Sequence, residues 1–80
     1  MRLAVEMPKF GAESVEGRIA SWFKQVGDPV TRGEPIAEIE TDKVTVEMEA
    51  LRTGVLVEIV HGEGADVPVG EVIAYLEVDG

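Results

Sequence analysis

The chain has 80 residues, of which 45% are hydrophobic, and a formal net charge of −9, which suits one small globular domain and is too apolar for a disordered tail. It contains no cysteine, so neither disulfides nor a cysteine-based zinc site can hold the fold. The 7 basic residues against 16 acidic ones argue against a nucleic-acid partner, and no segment has the roughly 20 apolar residues that span a membrane.

Short runs in which apolar and polar residues alternate lie between glycines and prolines along the whole chain, a pattern typical of half-buried strands. In chain order, the sequence predicts strands near residues 2–7, 17–24, 35–41, 44–50, 54–60 and 72–78. Short extended pieces near Val30 and Val67 are expected to complete the sheets. Because no stretch shows helical spacing, the predicted class is all-β.

The sequence also repeats itself. A shift of 64 − 27 = 37 positions places Gly27 on Gly64 and brings GDPVTRGEPIAEIETD onto GADVPVGEVIAYLEVD. One half alone has an apolar face with nothing to cover it, whereas two similar halves can cover each other. The repeat therefore predicts two small sheets packed face to face about a quasi-two-fold axis. Its glycines are expected at tight turns or bulges where a side chain would not fit.

The segment PIAEIETDKVTVEMEA predicts a hairpin with a two-residue turn at Asp42-Lys43. The apolar face of the ladder would carry the pairs Thr41–Val44, Ile39–Val46 and Ala37–Met48, and the acidic, solvated face Glu40–Thr45, Glu38–Glu47 and Ile36–Glu49. A slip of one residue would bury the glutamates, so the pattern favours this register. Asp suits such a turn, but Lys is not the glycine that two-residue hairpins favour.

Lys43 stands out because of its place at the predicted apex. A lysine there is ordinarily just solvated, yet the other two lysines, Lys9 and Lys24, lie away from any comparable turn. In the repeat, Lys43 falls on Gly80, so the tip has no structural twin. A lysine that carries an attached arm needs exposure and a stiff support rather than a pocket, and a small domain with little material for a cleft can provide both.

Other candidate sites are weaker. Glu38 and Glu47 face each other, but a glycosidase would need a sugar cleft that the chain has little room for. His61 is the single histidine and has no cysteine or second histidine with which to bind a metal. We predict no catalytic residue and no metal site.

The sequence also resembles a known family. ETDKVTVEMEA is similar to the lipoylation site of the lipoyl domains of dihydrolipoamide acyltransferases, the acyltransferases of 2-oxo acid dehydrogenase complexes. MPKFGAESVEGRIASWFKQVGDPVTRGEPIAEIE resembles the first half of those domains, and EGADVPVGEVIAYLE their closing strand. The resemblance covers essentially the whole chain.

The resemblance implies a flattened barrel-sandwich hybrid of two four-stranded antiparallel sheets, with the termini together at the end opposite the lysine. It implies that Lys43 carries lipoate in amide linkage, attached by a lipoate ligase or lipoyl transferase. Asp42 and Val44 would help the lipoylating enzyme or the decarboxylase recognise the tip. The loop at residues 8–16, between the first two strands, would lie beside the lysine and help a 2-oxo acid decarboxylase choose its carrier; the alternative is an ordinary connection between the strands. The residues of that loop singled out for partner recognition are Phe10, Gly11, Ala12 and Glu13.

The implied partners are a thiamin diphosphate-dependent 2-oxo acid decarboxylase, an acyltransferase core in the same chain and a dihydrolipoyl dehydrogenase. Residues 1–80 would then be the N-terminal domain of a longer acyltransferase chain, monomeric and not an enzyme by itself. The absence of a presequence favours a bacterial cytoplasm over a mitochondrial matrix.

Two alternatives remain open at the level of the sequence. Biotinyl domains have the same architecture but show Met on both sides of the target lysine, where this chain has Asp42 and Val44. An unmodified barrel-sandwich adaptor is the other, and Asp42-Lys43 at the apex counts against it. The carrier of the glycine-cleavage system also bears lipoate, but it is longer than this chain.

Overall fold

The computed structural model describes residues 1–9 and 15–79. Within these ranges the regular elements are eight strands, which in chain order are β1 (Arg2–Glu6), β2 (Glu16–Trp22), β3 (Pro29–Val30), β4 (Pro35–Glu40), β5 (Thr45–Glu49), β6 (Gly54–Ile59), β7 (Asp66–Pro68) and β8 (Val72–Glu77). The predicted strands are all present, with bounds that differ by at most two residues. In the part of the chain that the structure describes, no helix is long and apolar enough to cross a bilayer.

The strands form two four-stranded sheets, ordered β1-β8-β6-β3 and β5-β4-β2-β7. Every pairing within them is antiparallel. Their inner faces enclose a single apolar core, whose buried members are Val5, Met7, Ile19, Val30, Ile36, Ala37, Ile39, Met48, Ala50, Leu56, Val67, Ile73, Ala74, Leu76 and Val78. The expected all-β sandwich of two four-stranded sheets is confirmed.

The sequence repeat corresponds to a quasi-two-fold relation between the sheets, because β2, β3 and β4 match β6, β7 and β8. The main chain repeats its contacts accordingly: Ile19 donates to the carbonyl of Ala65 at 2.9 Å, and Leu56 donates to that of Asp28 at 2.9 Å. Strand β3 pairs with β6, and β7 pairs with β2. Each half therefore completes the sheet of the other half.

One predicted strand pairing is wrong. Glu49 lies opposite Pro35 rather than Ile36, because the ladder between β4 and β5 shifts register between Pro35 and Ala37. Ile36 is the extra residue of a β-bulge, which turns it inward so that Ile36 and Ala37 are both fully buried. Sequence alternation alone placed Ile36 on the solvated face. The same irregularity recurs in the β1–β8 ladder, where the matching residue, Ile73, is also fully buried.

The glycines of the repeat serve two purposes: one set has the predicted lack of room for a side chain, and the other set lies in the predicted turns. A Cβ on Gly17 would lie 2.9 Å from Cγ2 of Ile39, and one on Gly54 would lie 2.2 Å from the carbonyl oxygen of Glu77, so these two glycines permit close approach. A second set leaves open space around a Cβ and is required instead for its positive φ. These residues are Gly27, Gly33, Gly64 and Gly70, with φ of 99°, 88°, 88° and 91°.

Candidate functional site

The turn between β4 and β5 lies at the end of a well-anchored hairpin. Ile39 faces Val46 and Glu40 faces Thr45 in the register that the sequence predicted. The N–H of Thr41 donates to the carbonyl of Val44 at 2.8 Å, which leaves two residues in the turn. Since Ile39 is fully buried in the core, the core sets the direction of the hairpin.

The hydroxyl of Thr41 completes the turn. It accepts hydrogen bonds from the N–H of Val44 at 3.1 Å and from the N–H of Lys43 at 3.3 Å, and it donates to the carbonyl of Val44 at 3.0 Å. Two-residue hairpins ordinarily use a positive φ at one or both turn residues. Among the described residues, only glycines have a positive φ, so Asp42 and Lys43 adopt neither of those turns. A side-chain acceptor closes this tip instead.

Three of the predicted site residues, Asp42, Lys43 and Val44, lie at this tip. Asp42 and Lys43 are exposed, and Val44, although apolar, is 48% exposed. The environment of Lys24 is different, because its ammonium is 2.8 Å from the carboxylate of Glu34 and its side chain is only 23% exposed. Of the chain's lysines, Lys43 is the one that a hairpin tip presents to solvent.

One flank of the tip is a mixed, mainly acidic cavity of about 400 Å³. It is lined by Val15, Glu16, Gly17, Arg18, Glu40, Thr41, Asp42 and Asp66. Arg18 lies opposite Glu40 across the ladder, and its Nε atom lies 3.2 Å from the carboxylate of Asp66. Four carboxylates beside one guanidinium give this flank a negative potential that suits a basic protein surface. Within residues 1–9 and 15–79, no group of three or more metal-ligating side chains is arranged to hold an ion.

The chain termini occupy the matching position of the other half. Val78, which the repeat equates with Thr41, donates its N–H to the carbonyl of Met1 at 2.8 Å. From there β1 runs to Met7, whose sulfur packs against Gly17, and the next residue, Arg18, lies opposite Glu40 beside the tip. The termini and the tip therefore lie at opposite ends of the domain, as the resemblance implied.

The loop residues singled out for partner recognition, Phe10, Gly11, Ala12 and Glu13, lie outside the described residues, so their role stays a prediction.

His61 makes contacts that hold neighbouring segments of the fold together. Its Nε2 atom is 2.7 Å from the carboxylate of Glu71, and its carbonyl accepts the indole N–H of Trp22 at 3.0 Å.

Sequence reasoning missed Thr41 and the cavity residues on β2 and β7. Thr41 carried a usable signal, since a hydroxyl next to a turn without glycine often supplies the missing acceptor. Arg18 and Asp66 carried none, because they are far apart in the chain and meet only through the β2–β7 pairing.

A comparison with family models matches residues 3–76 to the biotin/lipoyl family, described as biotin-requiring enzyme. The chain belongs to the biotin/lipoyl attachment family. Within this family it is similar over almost its whole length to the lipoyl domain of the 2-oxoglutarate dehydrogenase complex from Azotobacter vinelandii. Sequence identity to that domain is 40%, the TM-score is 0.79, and the match covers 98% of this chain and 99% of the other. The likeness places this biotin/lipoyl family member with the lipoyl domains and does not favour the biotinyl alternative.

Two longer proteins show the same relationship. This lipoyl domain is 43% identical over 76 residues to the dihydrolipoyllysine-residue acetyltransferase component of the acetoin cleaving system of Bacillus subtilis, a match covering 95% of the chain. It is 51% identical over 71 residues to component 2 of the mitochondrial pyruvate dehydrogenase complex acetyltransferase of Arabidopsis thaliana, covering 88% of the chain. The chain spans 19% and 13% of the length of these curated relatives.

Proposed function

We propose that Lys43 carries a lipoyl group in amide linkage and that the domain is a swinging-arm carrier. The observation that carries this proposal is the exposed lysine at the tip of a hairpin whose strands are anchored in the core. That geometry fixes the attachment point while leaving the side chain accessible to a modifying enzyme and to several active sites. Full-length similarity to a lipoyl domain at 40% identity supports lipoate as the attached group.

Held on Lys43, a lipoyl group would supply the chemistry of such a carrier: its disulfide would be reduced by the decarboxylated 2-oxo acid to one acyl thioester and one thiol, and the thioester would pass its acyl group to the thiol of coenzyme A, leaving the dithiol. We propose a thiamin diphosphate-dependent 2-oxo acid decarboxylase as the acyl donor, an acyltransferase core in the same chain as the acceptor site, and a dihydrolipoyl dehydrogenase to reoxidise the dithiol. The protein's contribution is to position and tether the arm, which raises its concentration at each active site. The relatives named for acyltransferase components support this assignment.

We further propose that a lipoate ligase or lipoyl transferase recognises Asp42 and Val44 together with the lysine. Both flanking residues are exposed. Val44 is apolar although it is not buried in the core of the domain, so its side chain can offer an apolar contact to a partner. The domain acts as a monomer at the start of a longer acyltransferase chain, in a bacterial cytoplasm or, alternatively, a mitochondrial matrix.

The proposal is tested by incubating the domain with lipoate ligase, lipoate and ATP, followed by intact mass analysis and peptide mapping. We expect one lipoyl increment, located on Lys43, and none on Lys43→Ala. Lys9→Ala is the matched control, because it removes another exposed lysine that does not lie in the turn, and it should be modified like the wild type. An increment on Lys9 or Lys24, or none at all, contradicts the assignment.

A parallel incubation with biotin ligase and biotin separates the alternatives. Biotin on Lys43 with no lipoyl increment would establish the biotinyl function. Modification by neither enzyme would leave an unmodified adaptor as the remaining interpretation. A lipoyl increment alone supports the proposed carrier.

A further inference from the structure

We propose that Thr41 is a positioning residue for the modification of Lys43: its hydroxyl sets the main-chain conformation in which the hairpin tip is recognised. This inference rests on the proposed function, since it concerns how the lysine is presented to a lipoate ligase. It concerns a residue outside the Asp42-Lys43-Val44 triplet and does not require Thr41 to contact lipoate.

The main-chain N–H groups of the turn donate to a side chain. Asp42 and Lys43 lack the positive φ of ordinary two-residue hairpins, and the N–H of Val44 donates to the Thr41 side chain. The Thr41 hydroxyl takes up the N–H groups of both Lys43 and Val44. It is thus bonded directly to the main chain of the residue that is to be modified.

The other half of the molecule forms the corresponding contact without a hydroxyl. The repeat equates Thr41 with Val78. If the same shift of 37 positions is continued past the C-terminus to the N-terminus, it equates Val44 with Met1. The main-chain bond from Thr41 to Val44 and the bond from Val78 to Met1 are both 2.8 Å. At the termini, the nitrogen of Met1 donates to the carbonyl of Val78 at 2.8 Å, whereas at the tip the nitrogen of Val44 donates to the Thr41 side chain at 3.1 Å.

Strand pairing is therefore achieved at one end without any hydroxyl. The hydroxyl is an additional device, present at the end that bears the lysine. Because the hydroxyl lies at the end that bears the lysine, we infer that it determines the local shape of the tip and not the stability of the sandwich.

The test compares Thr41→Val, which keeps the shape of the side chain but removes the hydroxyl, with Thr41→Ser, which keeps the hydroxyl. Steady-state lipoylation is measured at a temperature where circular dichroism shows every variant folded. We expect Thr41→Val to raise the KM for the domain about tenfold with kcat unchanged, because the ligase must select a less populated tip conformation. Thr41→Ser should restore a KM near that of the wild type.

Thr53→Val is the matched control. The Thr53 hydroxyl also accepts a main-chain hydrogen bond, from Arg32 at 3.0 Å, but at the opposite end of the β4–β5 hairpin. We expect Thr53→Val to leave the KM unchanged even if its melting temperature falls. Amide hydrogen exchange should quicken at Lys43 and Val44 in Thr41→Val and remain slow at those amides in Thr53→Val.

Two results would overturn the inference. One is an unchanged KM for Thr41→Val, and the other is a rise in KM that follows thermal stability across all three variants. Either could occur while the wild-type domain is still lipoylated on Lys43, in which case the proposed function stands. If the wild type itself accepts no lipoate, it is the proposed function that fails.

Discussion

The ammonium of Lys24 lies 2.8 Å from the carboxylate of Glu34, where it links the segment after β2 to the turn before β4. One repeat later, His61 and Glu71 make the same contact, with 2.7 Å between the imidazole and the carboxylate. The quasi-two-fold relation thus extends from the main chain to contacts between polar side chains.

The Lys24–Glu34 pair predicts a pH dependence of stability. The hydrogen bond from Lys24 and that from the N–H of Thr31 hold the pKa of Glu34 below its ordinary value of 4.5. Because the folded-state pKa is the lower one, the stabilisation is fully present above the unfolded-state pKa and is lost as the pH falls through the folded-state pKa. Glu34→Gln should therefore be less stable than the wild type at pH 7, with the difference disappearing in acid.

Urea titrations between pH 7 and pH 2 would measure that difference. Glu49→Gln is the control, because Glu49 is exposed and lies opposite Pro35. A wild-type advantage over Glu34→Gln that stays constant down to pH 2 would contradict the ion-pair explanation.

Gly54→Ala should destabilise the domain severely. The added Cβ would lie 2.2 Å from the carbonyl oxygen of Glu77 and 2.8 Å from Cγ1 of Val78, and a paired main-chain carbonyl cannot move aside as a flexible side chain can. We expect a loss of about 3 kcal/mol or more in the free energy of unfolding, at the upper end of overpacking effects. Gly62→Ala, where a Cβ meets nothing within 4 Å, should be close to neutral in the same denaturation experiment. Equal losses at both positions would refute the argument from crowding.

Glu47→Lys should stabilise the hairpin. Glu47 and Glu38 are directly opposed across the β4–β5 ladder, and like charges at such positions repel. Reversing one charge should raise the free energy of unfolding by about 0.2–1 kcal/mol, and the gain should shrink in concentrated salt. Glu49→Lys changes the net charge equally but lies opposite Pro35, so it separates the pairwise effect from a general reduction in negative charge. A gain of the same size in both variants would assign it to net charge alone.

Lipoylation of Lys43 should change electrophoretic mobility. Forming the amide removes one positive charge, so the formal net charge of −9 becomes −9 − 1 = −10. The modified domain should migrate faster toward the anode on a native gel, and Lys43→Gln, which removes the same charge without an arm, marks the mobility due to charge. Unchanged migration after modification confirmed by mass would contradict an amide on a charged lysine.

Features that depend on local alternation were determined by the sequence itself. The pairing of Ile39 with Val46 and of Glu38 with Glu47 could be predicted because a one-residue slip would exchange the apolar and acidic faces. The two-sheet architecture could be predicted because each half of the repeat has an apolar face that only another half can cover. Lys43 could be placed at the tip for the same reason, since the register leaves it in the turn.

Only the tertiary structure decided the features that depend on contacts between distant segments. Ile36 is buried because a β-bulge in the β4–β5 ladder turns it inward, and strict alternation cannot express an inserted residue. Arg18 meets Asp66 because β7 crosses from one half to the sheet of the other. The closure of the tip by the Thr41 hydroxyl was likewise decided in three dimensions. The sequence Thr-Asp-Lys-Val does not determine the backbone angles of the turn, which depend on the anchored strands. With the angles of this structure, the N–H groups of Lys43 and Val44 both donate to the Thr41 hydroxyl.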